Sequence, residues 1–167
     1  MWAQCPHRWK TAYIDGKREF SDNIHTLFGT SMHEVIQAFL TVMYEDTAKA
    51  AEALPLEEML RTRMKRNFED ILKNNGGEMF CTEKDMVEFY MHGVEILKFI
   101  RKKRAQYFSK KGYELVGIEV PLDYDLPNKV KFIGYIDIVI KDTVRDVIKI
   151  YDIKTSTMGW NKYMKAD

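Results

Sequence analysis

Val130-Lys131-Phe132-Ile133-Gly134-Tyr135-Ile136-Asp137-Ile138-Val139-Ile140 is the stretch on which the fold turns. Side chains alternate faces along a strand, so residues two apart share a side. Phe132, Gly134, Ile136, Ile138 and Ile140 fall on one face; Ile133, Tyr135, Asp137 and Val139 fall on the other. Both faces are apolar, the pattern of a strand buried on both sides. Asp137 is the single charge in the middle of it. A buried carboxylate must be paired, protonated or bound to a metal, because leaving it bare is too costly.

A second strand follows, Val147-Ile148-Lys149-Ile150-Tyr151-Asp152-Ile153-Lys154-Thr155, with Asp152 and Lys154 on the face of Ile148 and Ile150 and therefore directed toward packed structure. A hairpin turn over Lys141 to Asp146 sets Ile140 opposite Val147. Tyr135 then faces Asp152, and Asp137 faces Ile150. In that register Asp137 and Asp152 are diagonal neighbours on one face, roughly 7–8 Å apart at the backbone. Inward carboxylates at such positions can meet at a cation, at about 2.0–2.1 Å from each oxygen if it is magnesium. A slip of one residue would undo this by moving every side chain to the other face. The competing reading is a buried Asp–Lys ion pair that holds the hairpin together.

Working outward, the chain reads as helices first and strands last. An irregular opening runs from Met1 to Phe28. Gly29-Thr30-Ser31 starts a helix reaching about Ala53, and Pro55 separates it from a second helix over Leu56 to Lys73. Asn74-Asn75-Gly76-Gly77 is a break. Thr82 caps a long third helix ending near Lys110, with Glu83, Asp85 and Glu88 at its positive end, and Gly112 closes it. A first strand covers Tyr113 to Tyr124, and Leu126-Pro127-Asn128 leads into the two strands above. The expectation is one α+β domain over residues 1–167, its N-terminal helices packed on a small three-stranded meander. Strands apolar on both faces want more cover than these helices give, so the chain is expected to lack a last helix at its C-terminus.

Composition sets loose bounds. The chain has 167 residues, 46% of them hydrophobic, and a net charge of +1. That suits one domain with a real core and does not advertise nucleic-acid binding as a whole. Local charge does. Lys98, Arg101, Lys102, Lys103, Arg104, Lys110 and Lys111 follow one another with no acid among them, interleaved with Phe99, Tyr107 and Phe108. Such a helix can track a phosphate backbone, or it can be a solvated face. Cys5 and Cys81 make no disulfide framework, and no secretory segment opens the chain. Gln37 and Asp137 interrupt the longest apolar stretches, so no membrane span is expected. A reducing, cytoplasmic setting is the default.

The first helix supplies a further group. His33 falls with Gly29, Ile36 and Leu40 at three- and four-residue steps, on the inward stripe; Glu34 aligns with Thr30, Gln37 and Thr41 on the wetter one. His33 reads either as a core histidine or as a ligand. It is not half of a zinc-protease helix, because the position one turn later is Gln37. On the first strand Val116, Ile118, Val120 and Leu122 share a face, and Glu119 lies on the other with Tyr113 and Leu115. It reads as a water-facing edge residue or as part of the site.

The ordered set Gly29-x-x-x-His33, Glu119, Gly134-x-x-Asp137 and Asp152-Ile153-Lys154-Thr155 resembles the PD-(D/E)XK nuclease superfamily. The match is closest to its RecB-type exonuclease branch, which includes the CRISPR-associated adaptation nucleases. The opening Cys5-Pro6-His7-Arg8-Trp9-Lys10-x-x-Tyr13 is similar to the start of the same branch, where a Cys-Pro pair precedes an aromatic helix.

This resemblance implies a restriction-endonuclease-like core. It implies His33, Asp137 and Asp152 as metal ligands with the backbone carbonyl of Ile153, and Asp137, Asp152 and Lys154 as the catalytic set. Lys154 would orient or deprotonate the attacking water, and Glu119 would be a further ligand or support one. An oxygen-rich set selects Mg²⁺ or Mn²⁺, and the imidazole tilts the choice toward Mn²⁺. The implied activity is hydrolysis of DNA by an exonuclease of recombination, repair or phage DNA processing, in a bacterial, archaeal or phage-infected cell. DNA would be the substrate and a helicase or recombination protein a partner. Arg101, Lys102, Arg104 and Lys110 are the candidate nucleic-acid contacts.

Two departures accompany the resemblance. The branch follows its Asp-x-Lys strand with a helix bearing Gln-x-x-x-Tyr, whereas Trp160, Lys162 and Tyr163 follow here. Some members hold an iron–sulfur cluster with one early and three late cysteines; Cys5 has the first place but no late trio follows, so no cluster is expected in this chain. The alternatives are a nuclease-like module that binds nucleic acid or a partner without cutting it, and a cluster-bearing adaptation nuclease whose later cysteines lie beyond these residues.

Overall fold

Asn23 starts the organising helix of the molecule. In the computed structural model, which describes residues 5–17, 22–126 and 131–155, its side chain accepts hydrogen bonds from the backbone N–H groups of His25 and Thr26. An asparagine in this place satisfies donors that a helix start leaves open. The helix α2 therefore runs over Ile24–Glu45, five residues ahead of the expected start. Leu27 and Phe28 extend its apolar stripe, which continues through Met32, Val35, Ile36, Phe39, Leu40 and Met43, all buried. It also stops earlier than expected, and Thr47 caps a separate short helix α3 over Ala48–Ala53. The opening is not irregular throughout, since Pro6–Tyr13 form α1.

Helix α4 (Leu56–Asn74) places Leu60 and Met64 one and two turns after Leu56 and buries all three. Helix α5 (Glu83–Tyr107) begins at the expected cap, where Thr82 Oγ1 accepts from the Asp85 N–H at 3.1 Å and Asp85 answers by accepting from the Thr82 N–H at 2.9 Å. Helix α2 packs against α3, α4 and α5, and its stripe forms one core with Leu56, Leu60, Phe89, Leu97, Ile138 and Ile140. Among the described residues no helix is long and apolar enough to cross a membrane.

Three antiparallel strands follow in the order β1 (Tyr113–Asp125), β2 (Lys131–Asp142) and β3 (Val147–Tyr151), giving the expected α+β arrangement of helices and a small meander. Four details differ from expectation. The turn between β2 and β3 is shorter, because the Asp142 carboxylate accepts from the Arg145 N–H at 3.2 Å and Asp146 takes a left-handed φ of 52°. The register becomes Asp142 opposite Val147 and Ile138 opposite Tyr151, two residues from the expected pairing. A shift of two preserves the faces, so the parity argument for Asp137 and Asp152 survives it.

Second, β2 is not buried on both sides. Ile138, Val139 and Ile140 are buried, whereas Ile133 and Tyr135 are 68% and 70% exposed. The described helices cover the face of Ile138 and Ile140, and the described residues leave the facing of Ile133, Tyr135, Ile148 and Ile150 open. Third, β3 ends at Tyr151, so Asp152 and Lys154 lie beyond it and are exposed rather than directed into packed structure. Fourth, β1 carries a bulge between Leu115 and Gly117, which puts Tyr113, Leu115 and Ile118 together against the core. Glu119 therefore does not share the face of Tyr113 and Leu115. Pro127 and Asn128, and Trp160, Lys162 and Tyr163, lie outside the described residues.

Candidate functional site

The site forms where α2 crosses the end of the sheet. One turn of α2 separates Gly29 from His33, and both face the segment that follows β3. A Cβ on Gly29 would sit 3.5 Å from Thr155 Oγ1. His33 Nε2 lies 2.8 Å from the carbonyl oxygen of Ile153, to which it donates. From the other side, Asp137 Oδ2 accepts the Ile153 backbone N–H at 2.6 Å. The peptide groups on both sides of Ile153 are thus held by side chains from α2 and β2. A backbone that has left its ladder needs such partners for its donors and acceptors.

Asp137 Oδ2 is also 4.0 Å from His33 Nδ1, and both side chains are largely sheltered, with 16% and 25% exposure. The β2–β3 ladder ends at Ile138 and Tyr151, so Asp137 and Asp152 occupy the next facing positions. Asp152 points its carboxylate at Lys154, with Nζ at 2.9 Å, and both are more than half exposed. The expected Asp–Lys pair therefore exists, in the open rather than buried.

His33, Asp137, Asp152, Ile153 and Lys154 line one cavity of about 440 Å³, together with His25 and Thr155. Among the described residues no three His, Cys, Asp or Glu side chains converge closely enough to make a metal-holding group. The donors nevertheless suit a hard divalent cation: two carboxylates, a carbonyl and an imidazole on one wall. Two carboxylates stand against a single ammonium there, so the cavity attracts a cation before it can accept a phosphate.

A second cavity of about 360 Å³ shares His33 and is lined by Gly29, Thr30, Glu34, Gln37 and Glu119. Glu119 has a left-handed φ of 48° and accepts a hydrogen bond from Gln37 Nε2 at 2.9 Å. Its neighbours Ile118 and Val120 pair with Ile138 and Ile136, which puts Glu119 across from Asp137. Glu34 is held by Arg66 at 2.6 Å and Arg63 at 3.6 Å.

The basic helix is largely committed to the fold. Arg101 donates to the Leu54 carbonyl, Arg104 pairs with Glu52 at 2.6 Å, and Lys98 pairs with Glu95 at 2.8 Å. Lys102 and Lys110 are exposed. Cys5 precedes α1, and Cys81 precedes α5 with its thiol pushed up by burial and, less, by Asp85.

His25 and Gln37 are the residues that sequence reasoning passed over. Placing the start of α2 at Gly29 hid His25, and the signal that would have revealed it is Asn23, a capping residue just ahead of an apolar run. Gln37 falls on the wetter stripe of α2, and nothing in its spacing marks it as a partner of Glu119.

A family model described as the PD-(D/E)XK nuclease superfamily matches residues 2–165 of the chain. No curated protein and no solved structure is matched.

Proposed function

The chain belongs to the PD-(D/E)XK nuclease superfamily, and from that premise we propose a metal-dependent DNA exonuclease of the RecB type, serving recombination, repair or phage DNA processing. One observation carries the reading: His33, Asp137, Asp152, Ile153 and Lys154, scattered over the sequence, line a single cavity. The order Gly29-x-x-x-His33, Glu119, Gly134-x-x-Asp137, Asp152-Ile153-Lys154 supports the RecB branch.

Hydrolysis of a phosphodiester needs an activated water and a counter-charge for the oxygens that gain negative charge. Mg²⁺ or Mn²⁺, when bound, supplies both an acidified water and a clamp on the phosphate. His33, Asp137, Asp152 and the Ile153 carbonyl would hold it. The bonds from Asp137 and His33 fix the backbone on both sides of Ile153, so that its carbonyl is presented from an ordered segment. Lys154 reaches from the open side beside Asp152, where its ammonium orients the attacking water or, once it has given up a proton, takes one from that water. Glu119 supports this wall from the adjoining cavity. Of the basic segment, Lys102 on α5 and Lys110 just after it are exposed and able to meet phosphate. A helicase or another recombination protein would deliver the DNA.

A second reading, a module that binds nucleic acid or a partner without cutting, draws on the exposed pairing of Asp152 with Lys154. Cleavage of end-labelled single- and double-stranded DNA in Mg²⁺ or Mn²⁺ separates the two, with Asp152→Ala and Lys154→Ala alongside. Metal-dependent products that vanish in both variants establish the nuclease, and their ladder gives the polarity. DNA binding without cleavage in either metal leaves the module.

A further inference from the structure

Most polar groups around the 440 Å³ cavity are already joined to one another. His33 and Asp137 hold the backbone at Ile153, and Asp152 holds Lys154. The imidazole of His25 differs. Among the described residues nothing hydrogen-bonds its ring, although the ring is held in place. It stands in the first turn of α2, where the Asn23 side chain fixes its backbone N–H at 2.9 Å. Its ring meets Phe89 edge to face at 5.0 Å and 83°. Phe89 is buried and meets Phe28 in the same manner at 5.3 Å and 73°. The hydrophobic core thus orients an exposed imidazole toward the cavity without using either ring nitrogen.

We propose that His25 binds the nucleic-acid strand at this cavity by donating a ring N–H to a phosphate oxygen; the inference rests on the nuclease reading above. A neutral imidazole offers one donor and one acceptor, and only the donor suits a phosphodiester, whose free oxygens accept. The cavity's carboxylates would repel that phosphate, so donors must flank them. Lys154 provides one flank after β3, and His25 provides the other from α2. Phe89 acts on the substrate only through His25 and is a positioning residue.

The test uses the full chain and a fluorescein-labelled single-stranded oligonucleotide. Binding is titrated in Ca²⁺, and cleavage kinetics are followed in Mn²⁺. His25→Ala should weaken binding about tenfold, the effect of one hydrogen bond to a charged group. KM should rise in proportion, more than kcat falls, while the Mn²⁺ concentration giving half-maximal rate stays put. His25→Gln, which keeps a donor, should recover part of the loss, and Phe89→Leu should fall between it and the wild type. Wild-type binding by His25→Ala overturns the proposal. So does a shifted Mn²⁺ requirement with unaltered binding, which would make His25 a metal ligand. If the wild type binds the oligonucleotide but never cuts it, the nuclease reading fails while the binding comparison still decides the role of His25. If the wild type does not bind it at all, both fail.

Discussion

The Nε2 atom of His33 lies 2.8 Å from the carbonyl oxygen of Ile153, although 120 residues separate the two in sequence. A carbonyl oxygen only accepts, so Nε2 carries the proton, and in the neutral ring Nδ1 carries the lone pair. That nitrogen is 4.0 Å from Asp137 Oδ2. A lone pair and a carboxylate at such range repel each other, and a cation between them would turn the repulsion into attraction.

Metal should therefore stabilise the fold through His33. A ligand that binds only the native state adds about 2.7 kcal/mol at a hundred times its Kd. For a chain of this size that corresponds to a Tm rise of about 5–10 °C. Thermal unfolding of the wild type should show this rise with Mn²⁺, and His33→Ala should show little or none. Equal shifts in both proteins would remove His33 from the ligand set.

Asp137 has two separable duties, an acceptor for the Ile153 N–H and a charge for the cation. Asp137→Asn keeps an acceptor oxygen, so its stability should stay within about 1 kcal/mol of the wild type. Asp137→Ala leaves that N–H without its partner and should cost about 1–3 kcal/mol. Both should abolish metal-dependent cleavage. Urea unfolding beside a cleavage assay checks the split; a stable Asp137→Ala would show that water replaces the carboxylate at no cost.

Tyr44 gives an alkaline signature. Its hydroxyl donates to the Phe108 carbonyl, and burial, with smaller effects from Tyr151 and Tyr113, pushes its pKa up from 10.0 to about 12. A folded pKa above the unfolded one favours the folded state while the phenol keeps its proton. The contribution is complete below pH 10.0 and is lost as pH rises through about 12. Tyr44→Phe should flatten this part of the stability profile and, by leaving the Phe108 carbonyl unpaired, cost about 1 kcal/mol at neutral pH. Urea midpoints across that window for both proteins decide it.

Much of this architecture was legible because apolar spacing is a long-range constraint that few alternatives satisfy. The stripe of α2, the Thr82 cap and the meander of three strands all follow from periodicity and turn residues. The registers were harder. A turn two residues shorter than expected and a bulge after Leu115 depend on local hydrogen bonds, such as the one from Arg145 to Asp142, that no pattern of hydrophobicity encodes. His33, Asp137, Asp152 and Lys154 were legible as a set through their order along the chain. What that order could not reveal was their present bonding, since the hold of His33 and Asp137 on Ile153 depends on where β3 stops.

Glu119 offers the sharpest separation of function from stability. Its φ of 48° is one that side chains with a Cβ occupy at a cost of about 1–2 kcal/mol. Gln37 holds the carboxylate in place across that strain. Glu119→Ala and Glu119→Gly both remove the carboxylate and its hydrogen bond, so the difference between them isolates the backbone. In an ordinary strand glycine is the weaker of the two by about 0.5–1 kcal/mol. Here the order should invert, with Glu119→Gly more stable by about 1 kcal/mol. If the carboxylate serves the cavity it shares with His33, the two variants should lose cleavage equally in spite of that gap. Glycine less stable than alanine would show that the backbone carries no strain at this position. Full cleavage by both would place Glu119 outside the chemistry and leave its tie to Gln37 as a clamp between β1 and α2.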